Sequence, residues 1–214
     1  MSSFSIKVFA AITMLIDHIG FVLFPNIVMF RIIGRLAFPL FAFQISIGFD
    51  KTKNREKYIL RMLIFAIISQ IPFTLMNSIS GIAPKLNIGF TFLISLLLLY
   101  SLENVKPILG KVLCLIPILL TAYFLEYDYY IYGIILVLLF YYSSKKTSLM
   151  VSLMFVTVSI YSLCKKNPVA PYTMFAIVPI LFYNGKKGPD LKWYFYAFYP
   201  LHMLILYVIS IYLR

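Results

Sequence analysis

Hydrophobic positions in this chain gather into long blocks, parted by short polar or basic breaks, from one end to the other. A helix needs about 20 apolar residues to cross a hydrocarbon core of roughly 30 Å. By that criterion the blocks predict transmembrane helices over 6–25, 31–49, 58–77, 87–102, 108–124, 130–143, 148–164, 171–183 and 193–212. The expected fold is an all-α, polytopic transmembrane helical bundle of about nine spans. Eight or ten spans are the alternative counts, because the sixth and eighth blocks are short. Pro39, Pro72, Pro117 and Pro179 fall inside blocks and predict kinks, where freed carbonyls need partners in the bundle interior. There is no long internal repeat and no low-complexity linker, so 1–214 reads as a single integral membrane domain. The opening "MSSFSIKVFAAITMLI" could pass for a secretory leader. It lacks a small-x-small cleavage site and runs on into Asp17 and His18, so a retained first helix is expected.

Composition sharpens this picture. Hydrophobic residues make up 62% of the chain and charged residues 12%, which excludes an ordinary soluble domain. The net charge of +12 lies in the breaks and not along an amphipathic surface. Anionic lipid head groups or an anionic cytosolic substrate are therefore the expected partners, and nucleic acid is not. Lys7, Lys51, Lys53, Arg55, Lys57, Arg61, Lys106, Lys111, Lys145, Lys146, Lys186, Lys187 and Lys192 fall on one side of the predicted weave. Only Lys85, Lys165, Lys166 and Arg214 fall on the other, beside the acidic "EYDYY" at 126–130. The positive-inside rule then places the N-terminus in the cytoplasm and the C-terminus outside. Cys114 and Cys164 sit in apolar runs without C-x-x-C spacing or a nearby histidine, and no metal site is expected.

Candidate chemistry begins with "TMLIDHIGFVLFP", residues 13–25, where Asp17 and His18 stand side by side in an oily helix. An aspartate at mid-membrane costs about 2.5–3.5 kcal/mol on insertion scales, so it needs a partner. "RIIGRLAFP" offers Arg31 and Arg35 four apart on one face, with Gly34 allowing close approach. A hairpin near 26–30 would bring them to the depth of Asp17 and His18. The plain reading is a buried ion pair pinning two helices. The functional reading is a polar cavity, because four ionisable groups converge at one level. His202 in the last block falls near mid-depth too, with Tyr199 three residues before it on the same face; taken alone, a packing histidine is an equal reading. Gln44, Gln70, Asn77 and Asn87 could line the cavity or tie helices together. "FYNGKKG" at 182–188 could hold phosphate through backbone N–H groups, Asn184, Lys186 and Lys187, or could be a plain cytosolic loop.

Four segments, "ITMLIDHIGFVLFP", "FRIIGRLAFPLFAFQISIGF", "RMLIFAIISQIPF" and "FYNGKKG…LKWYFYAFYPLHMLILYVI", together resemble the TraX family, integral membrane proteins typified by the acetylase of conjugative F pilin. The resemblance runs in order from residue 7 to about 208, with 100–170 the least distinctive. It implies an acetyl-CoA-dependent acyltransferase of a bacterial inner membrane, acting on an amine acceptor at the outer face, in the typical member the N-terminus of a pilin subunit. The positions carried over are Asp17, His18, Arg31, Arg35 and the Tyr199-Pro200-x-His202 pattern. Family members often show an acidic residue where this chain has Gln70, so no acid role follows there.

Residues and resemblance meet in one expected mechanism. His18, with Asp17 orienting it, acts as base on the acceptor amine or takes the acetyl group transiently. His202 assists, while the basic cluster from Lys51 to Arg61 and the Lys186–Lys192 loop attract the donor's nucleotide phosphates and its pantetheine arm reaches into the bundle. Arg31 and Arg35, toward the outer half in this topology, polarise the thioester, bind an acidic acceptor or hold Asp17; with the first hairpin inverted they would clamp donor phosphates. Acyl transfer to a sugar or lipid head group is the nearest alternative. A proton-coupled transporter would be favoured by inverted repeats, and the sequence shows none; a non-catalytic scaffold is the remaining class.

Overall fold

The computed structural model describes residues 1–81, 85–113, 115–116 and 129–213. Its elements are α1 (Ser3–Leu23), α2 (Val28–Gly34), α3 (Ala37–Lys51), α4 (Arg55–Ser78), α5 (Ile88–Asn104), α6 (Tyr130–Ser143) and α7 (Thr147–Lys165). A 3-10 segment (Ala170–Ala176) then runs into the short α8 (Ile177–Leu181), and α9 (Lys192–Tyr212) follows. The fold is all-helical among these residues. Five stretches are long and apolar enough to cross a bilayer: α1, the run Val28–Lys51, α4, α7 and α9. α5, α6 and Ala170–Leu181 are apolar but shorter. The block expected at 108–124 falls mostly outside the described residues, as do Cys114, Pro117, Arg214 and the acidic pair at 126–128.

Two expected spans take another form, and proline chemistry accounts for both. The block at 31–49 is two helices that part at Arg35 and Leu36. Pro39 has no N–H to bond the carbonyl of Arg35, so the helical ladder is broken at that turn. The block at 171–183 is no continuous α-helix: "APYTMFA" winds as a 3-10 helix before one turn of α-helix around Pro179. At about 2.0 Å per 3-10 residue and 1.5 Å per α residue it reaches roughly 21 Å, less than a hydrocarbon core.

The core centres on α3. In the run Val28–Lys51, which α3 ends, 61% of the apolar stretch is buried, against 17% for α7, so this run is the axis and α7 lies at the rim. The cause is in the sequence: "AFPLFAFQISIGF" is apolar or small on every side, whereas the other long helices keep a lipid-facing side of Ile, Leu and Phe. Phe38, Leu40, Phe43 and Phe49 of α3 pack with Ile6 of α1, Leu96 of α5 and Phe140 of α6. α4 packs on α5 and α9, and α1 on α2, α3 and α9. Two buried hydroxyls of the core bond back to their own helices, Ser46 to the carbonyl of Phe43 at 2.8 Å and Ser95 to that of Thr91 at 2.7 Å.

Polar clasps close the bundle at both ends. At one end the first N–H groups of α1, which no helix can satisfy internally, donate to a distant loop: Ser3 to the carbonyl of Lys186 at 2.8 Å and Phe4 to that of Lys187 at 3.1 Å. Gly188 permits this, because its φ is +73° and a Cβ there would lie 2.8 Å from that of Phe4. Nearby, Arg55 pairs with Glu103, which also accepts from the Tyr141 hydroxyl, tying α4, α5 and α6. At the other end Asn87 caps α5. Its Oδ1 accepts from Gly89 N at 2.8 Å, and its Nδ2 donates to the carbonyl of Ala66 at 2.7 Å and to Gln70 Oε1 at 2.9 Å. Gln70 in turn donates to the carbonyl of Lys85 at 2.7 Å. These two amides are helix ties and line neither large cavity, which corrects the expectation that they face substrate. Asn87→Ala orphans the Gly89 N–H and releases α4 from α5. A loss of about 1–3 kcal/mol is expected, read as a lower melting temperature of the detergent-solubilised protein.

Candidate functional site

Asp17 and His18 are successive residues of α1 and so point about 100° apart around the helix axis. They meet different neighbours. Asp17 faces α2, where Arg31 Nη1 lies 2.8 Å from its Oδ2 and Arg35 Nη2 3.9 Å from its Oδ1. Arg31 also donates to the carbonyl of Asp17 at 3.4 Å, and Arg35 Nε to the carbonyl of Arg31 at 3.4 Å. Gly34 makes this contact possible. A Cβ at that position would lie 2.0 Å from Asp17 Oδ1, so the carboxylate occupies the space a side chain would take. Gly20 does the same for Phe30, whose Cβ would be 2.2 Å from an added Cβ. Two glycines therefore bring α1 and α2 close enough for the ion pair.

His18 faces α9. Its Nδ1 lies 2.6 Å from Nε2 of His202, and the rings are near-parallel with an interplanar angle of 10°. His202 Nδ1 lies 2.7 Å from the carbonyl of Phe198. A carbonyl only accepts, so His202 carries its proton on Nδ1 and, when neutral, offers Nε2 as an acceptor. The proton between the two rings then belongs to His18 Nδ1, and His18 Nε2 keeps a free lone pair. Asp17 and His18 share no hydrogen bond: the ring expected to be oriented by Asp17 is oriented by His202, while Asp17 holds the two arginines.

These groups surround a cavity of about 460 Å³. Asp17, His18, Arg31 and Arg35 line it, with Tyr199, Lys85 and Lys165; His202 stands behind His18 and is 5% exposed. Among the described residues the lining carries four cations, Arg31, Arg35, Lys85 and Lys165, against one carboxylate. The wall on the α3 side is apolar, with Phe38, Phe41 and Phe92. A nitrogen lone pair can take a proton from a nucleophile, and guanidinium groups beside it can stabilise an oxyanion forming there.

A second cavity of about 440 Å³ opens at the end where α1 begins. Lys7, Lys51, Arg61, Lys187 and Lys192 line it, together with Asp190. Asp190 is held by Lys187 at 2.8 Å, and that hydrogen bond keeps its carboxyl below the usual carboxylate range. Phe41 and Phe92 line both cavities.

The structure parts the residues named as candidate donor contacts. Arg31 and Arg35 lie in the first cavity and Lys187 in the second, with roughly 20 Å of α1 between Ser3 and Asp17. Lys186 lines neither cavity. Asn184 folds its own loop by accepting from Lys186 N at 3.1 Å. Gln44 lines the second cavity and not the first. Lys85 and Lys165 went unnoticed as cavity residues, although both were exceptions to the one-sided cationic pattern. Phe41 and Phe92 carried no signal at all among so many phenylalanines.

The family model described as TraX protein matches residues 2–210. A Dichelobacter nodosus protein described as "Probable fimbrial assembly protein FimC, serogroup H1" is 28% identical over 230 residues, covering 96% of this chain and 94% of that one. An uncharacterized protein of Rickettsia prowazekii (strain Madrid E) is 42% identical over 72 residues, 33% of this chain and 27% of its own. No solved structure matches.

Gly34→Ala drives a methyl group into the Asp17 carboxylate and is expected to cost about 1–3 kcal/mol. The same change in an Asp17→Gly background is expected to cost clearly less, because the Asp17 Cβ, 2.3 Å from the added one, is then gone together with the carboxylate. Thermal unfolding of the two single variants and the double variant in detergent measures both costs.

Proposed function

The chain belongs to the TraX family, and on that premise we propose that it is a membrane-embedded acyltransferase that moves acetyl from acetyl-CoA to an amine at the outer face of a bacterial inner membrane. The acceptor in this reading is the N-terminus of a pilin-like or other secreted peptide, in keeping with the fimbrial assembly named for the D. nodosus relative. The observation that carries it is the free Nε2 of His18, presented to a cationic cavity by a second buried histidine.

An amine attacks a thioester only as the neutral base. As the nitrogen bonds to the acetyl carbonyl, His18 Nε2 accepts its proton, and His202 stabilises the imidazolium through the Nδ1 hydrogen bond. Arg35, with Arg31, faces the developing oxyanion. The carbon–sulfur bond then breaks, the thiolate takes the proton from His18, and an amide and the CoA thiol result. Asp17 acts through the arginines, as a positioning residue. An N-terminus in the cytoplasm puts the basic cavity on the side where acetyl-CoA is found. A second reading keeps the chemistry and changes the acceptor to a sugar or lipid head group whose phosphate the guanidinium groups lining the first cavity would hold.

The test is transfer of labelled acetyl from acetyl-CoA to a peptide N-terminus by the purified protein in liposomes. His18→Ala is expected to lower the rate on the order of 10²-fold or more with the melting temperature kept, and His202→Ala to lower it less. Transfer to neither peptide, sugar nor lipid amines by a folded wild type would overturn the proposal.

A further inference from the structure

The cavity at the basic end is built by stripes on four helices. Ser3 and Lys7 share a face of α1, and Gln44, Gly48 and Lys51 a face of α3. Tyr58, Arg61 and Phe65 come from α4, and Lys192, Phe195 and Tyr196 from α9. Arg61 lies over the Tyr58 ring at 5.7 Å, and Lys51 reaches across to the carbonyl of Gly185 at 2.7 Å. Asp190 is engaged with Lys187, which leaves the cations of α1, α4 and α9 in excess at this end.

Gln44 is the informative residue. It is 5% exposed, its Oε1 accepts from the Ser3 hydroxyl, and its Nε2 is covered yet has no hydrogen-bond partner. A buried amide donor without an acceptor costs about 1–3 kcal/mol, so Gln44 Nε2 has a hydrogen bond to offer to whatever fills the cavity. This donor lines the cavity between the cations at its mouth and Phe41 and Phe92 at its inner wall.

Resting on the acyl-transfer reading above, we propose that this cavity is the donor chamber: it holds the phosphopantetheine arm of the acyl donor, with Gln44 Nε2 donating to one of its amide carbonyls. Lys7 and Arg61 face the phosphates, and Phe41 and Phe92 flank the thioester where it meets the first cavity. The lengths agree. About twelve bonds part the phosphoester oxygen from the sulfur, or roughly 14 Å at the reach of extended polypeptide. From Lys7 to His18 along α1 is roughly 16 Å, within the reach of a lysine side chain. Donor and acceptor then enter from opposite ends and meet at the phenylalanine wall, which leaves Arg31 and Arg35 to the acceptor and the reacting carbonyl.

Isothermal titration of the full-length protein in detergent tests this, with acetyl-CoA, pantetheine and adenosine 3′,5′-bisphosphate as probes. Gln44→Leu is expected to weaken acetyl-CoA and pantetheine about 10-fold, the scale of one lost buried hydrogen bond, and to leave the bisphosphate unchanged. Lys7→Gln is expected to weaken acetyl-CoA and the bisphosphate but not pantetheine. Arg31→Ala and Arg35→Ala are expected to bind acetyl-CoA as the wild type does. Unchanged acetyl-CoA binding in folded Gln44→Leu and Lys7→Gln, with a loss in Arg35→Ala, would move the donor to the first cavity and overturn the inference while acyl transfer stands. No acetyl-CoA binding by the folded wild type would overturn both.

Discussion

A carboxylate cannot stay charged inside a membrane bundle without a cation against it. Asp17 meets this constraint with Arg31 at 2.8 Å and Arg35 beyond, and much of the first third of the chain is arranged accordingly. Gly20 and Gly34 remove the side chains that would hold α1 and α2 apart. Pro39 ends the ladder at Arg35, so the second arginine sits at a helix break and not in the middle of a rod. α3 then leaves at its own angle and becomes the axis. The ion pair leaves His18 turned away from Asp17, towards α9, where His202 is the group that can hold it.

The parts of the fold legible in the sequence were those written as blocks. α1, α4, α7 and α9 fall within a few residues of the apolar runs, because lipid imposes one length and one polarity on a lone helix. The broken second span and the 3-10 segment were not legible in form, since hydropathy averages over a turn and does not register a missing N–H. Prolines at 39 and 179 were the available signal and marked the places, though not the geometry.

The site was legible as a set of residues and illegible as a set of partnerships. Asp17, His18, Arg31 and Arg35 stood out because ionisable groups are rare in such runs. Which of two neighbours an α-helical Asp-His pair addresses depends on the rotation of α1 about its axis, and α2 and α9 set that rotation only in the folded bundle. Gln70 and Asn87 look like cavity amides in sequence; their hydrogen-bonding capacity is spent between α4 and α5. Lys7 looked like a topology marker, and faces a cavity because Gln44 and Arg61 come from helices far from it in sequence.

The clasp between the start of α1 and the loop before α9 bears on how the molecule is made. The first-turn N–H groups of Ser3 and Phe4 are satisfied by carbonyls of Lys186 and Lys187, and His18 takes its ring partner from residue 202. During synthesis, α1 enters the membrane well ahead of both of its partners, His18 being separated from His202 by 184 positions. α1 must wait, its end open and its histidine unpaired, until α9 has been inserted. The geometry that would make His18 a base is therefore also a completion check: a chain interrupted before α9 carries the base but never sets it.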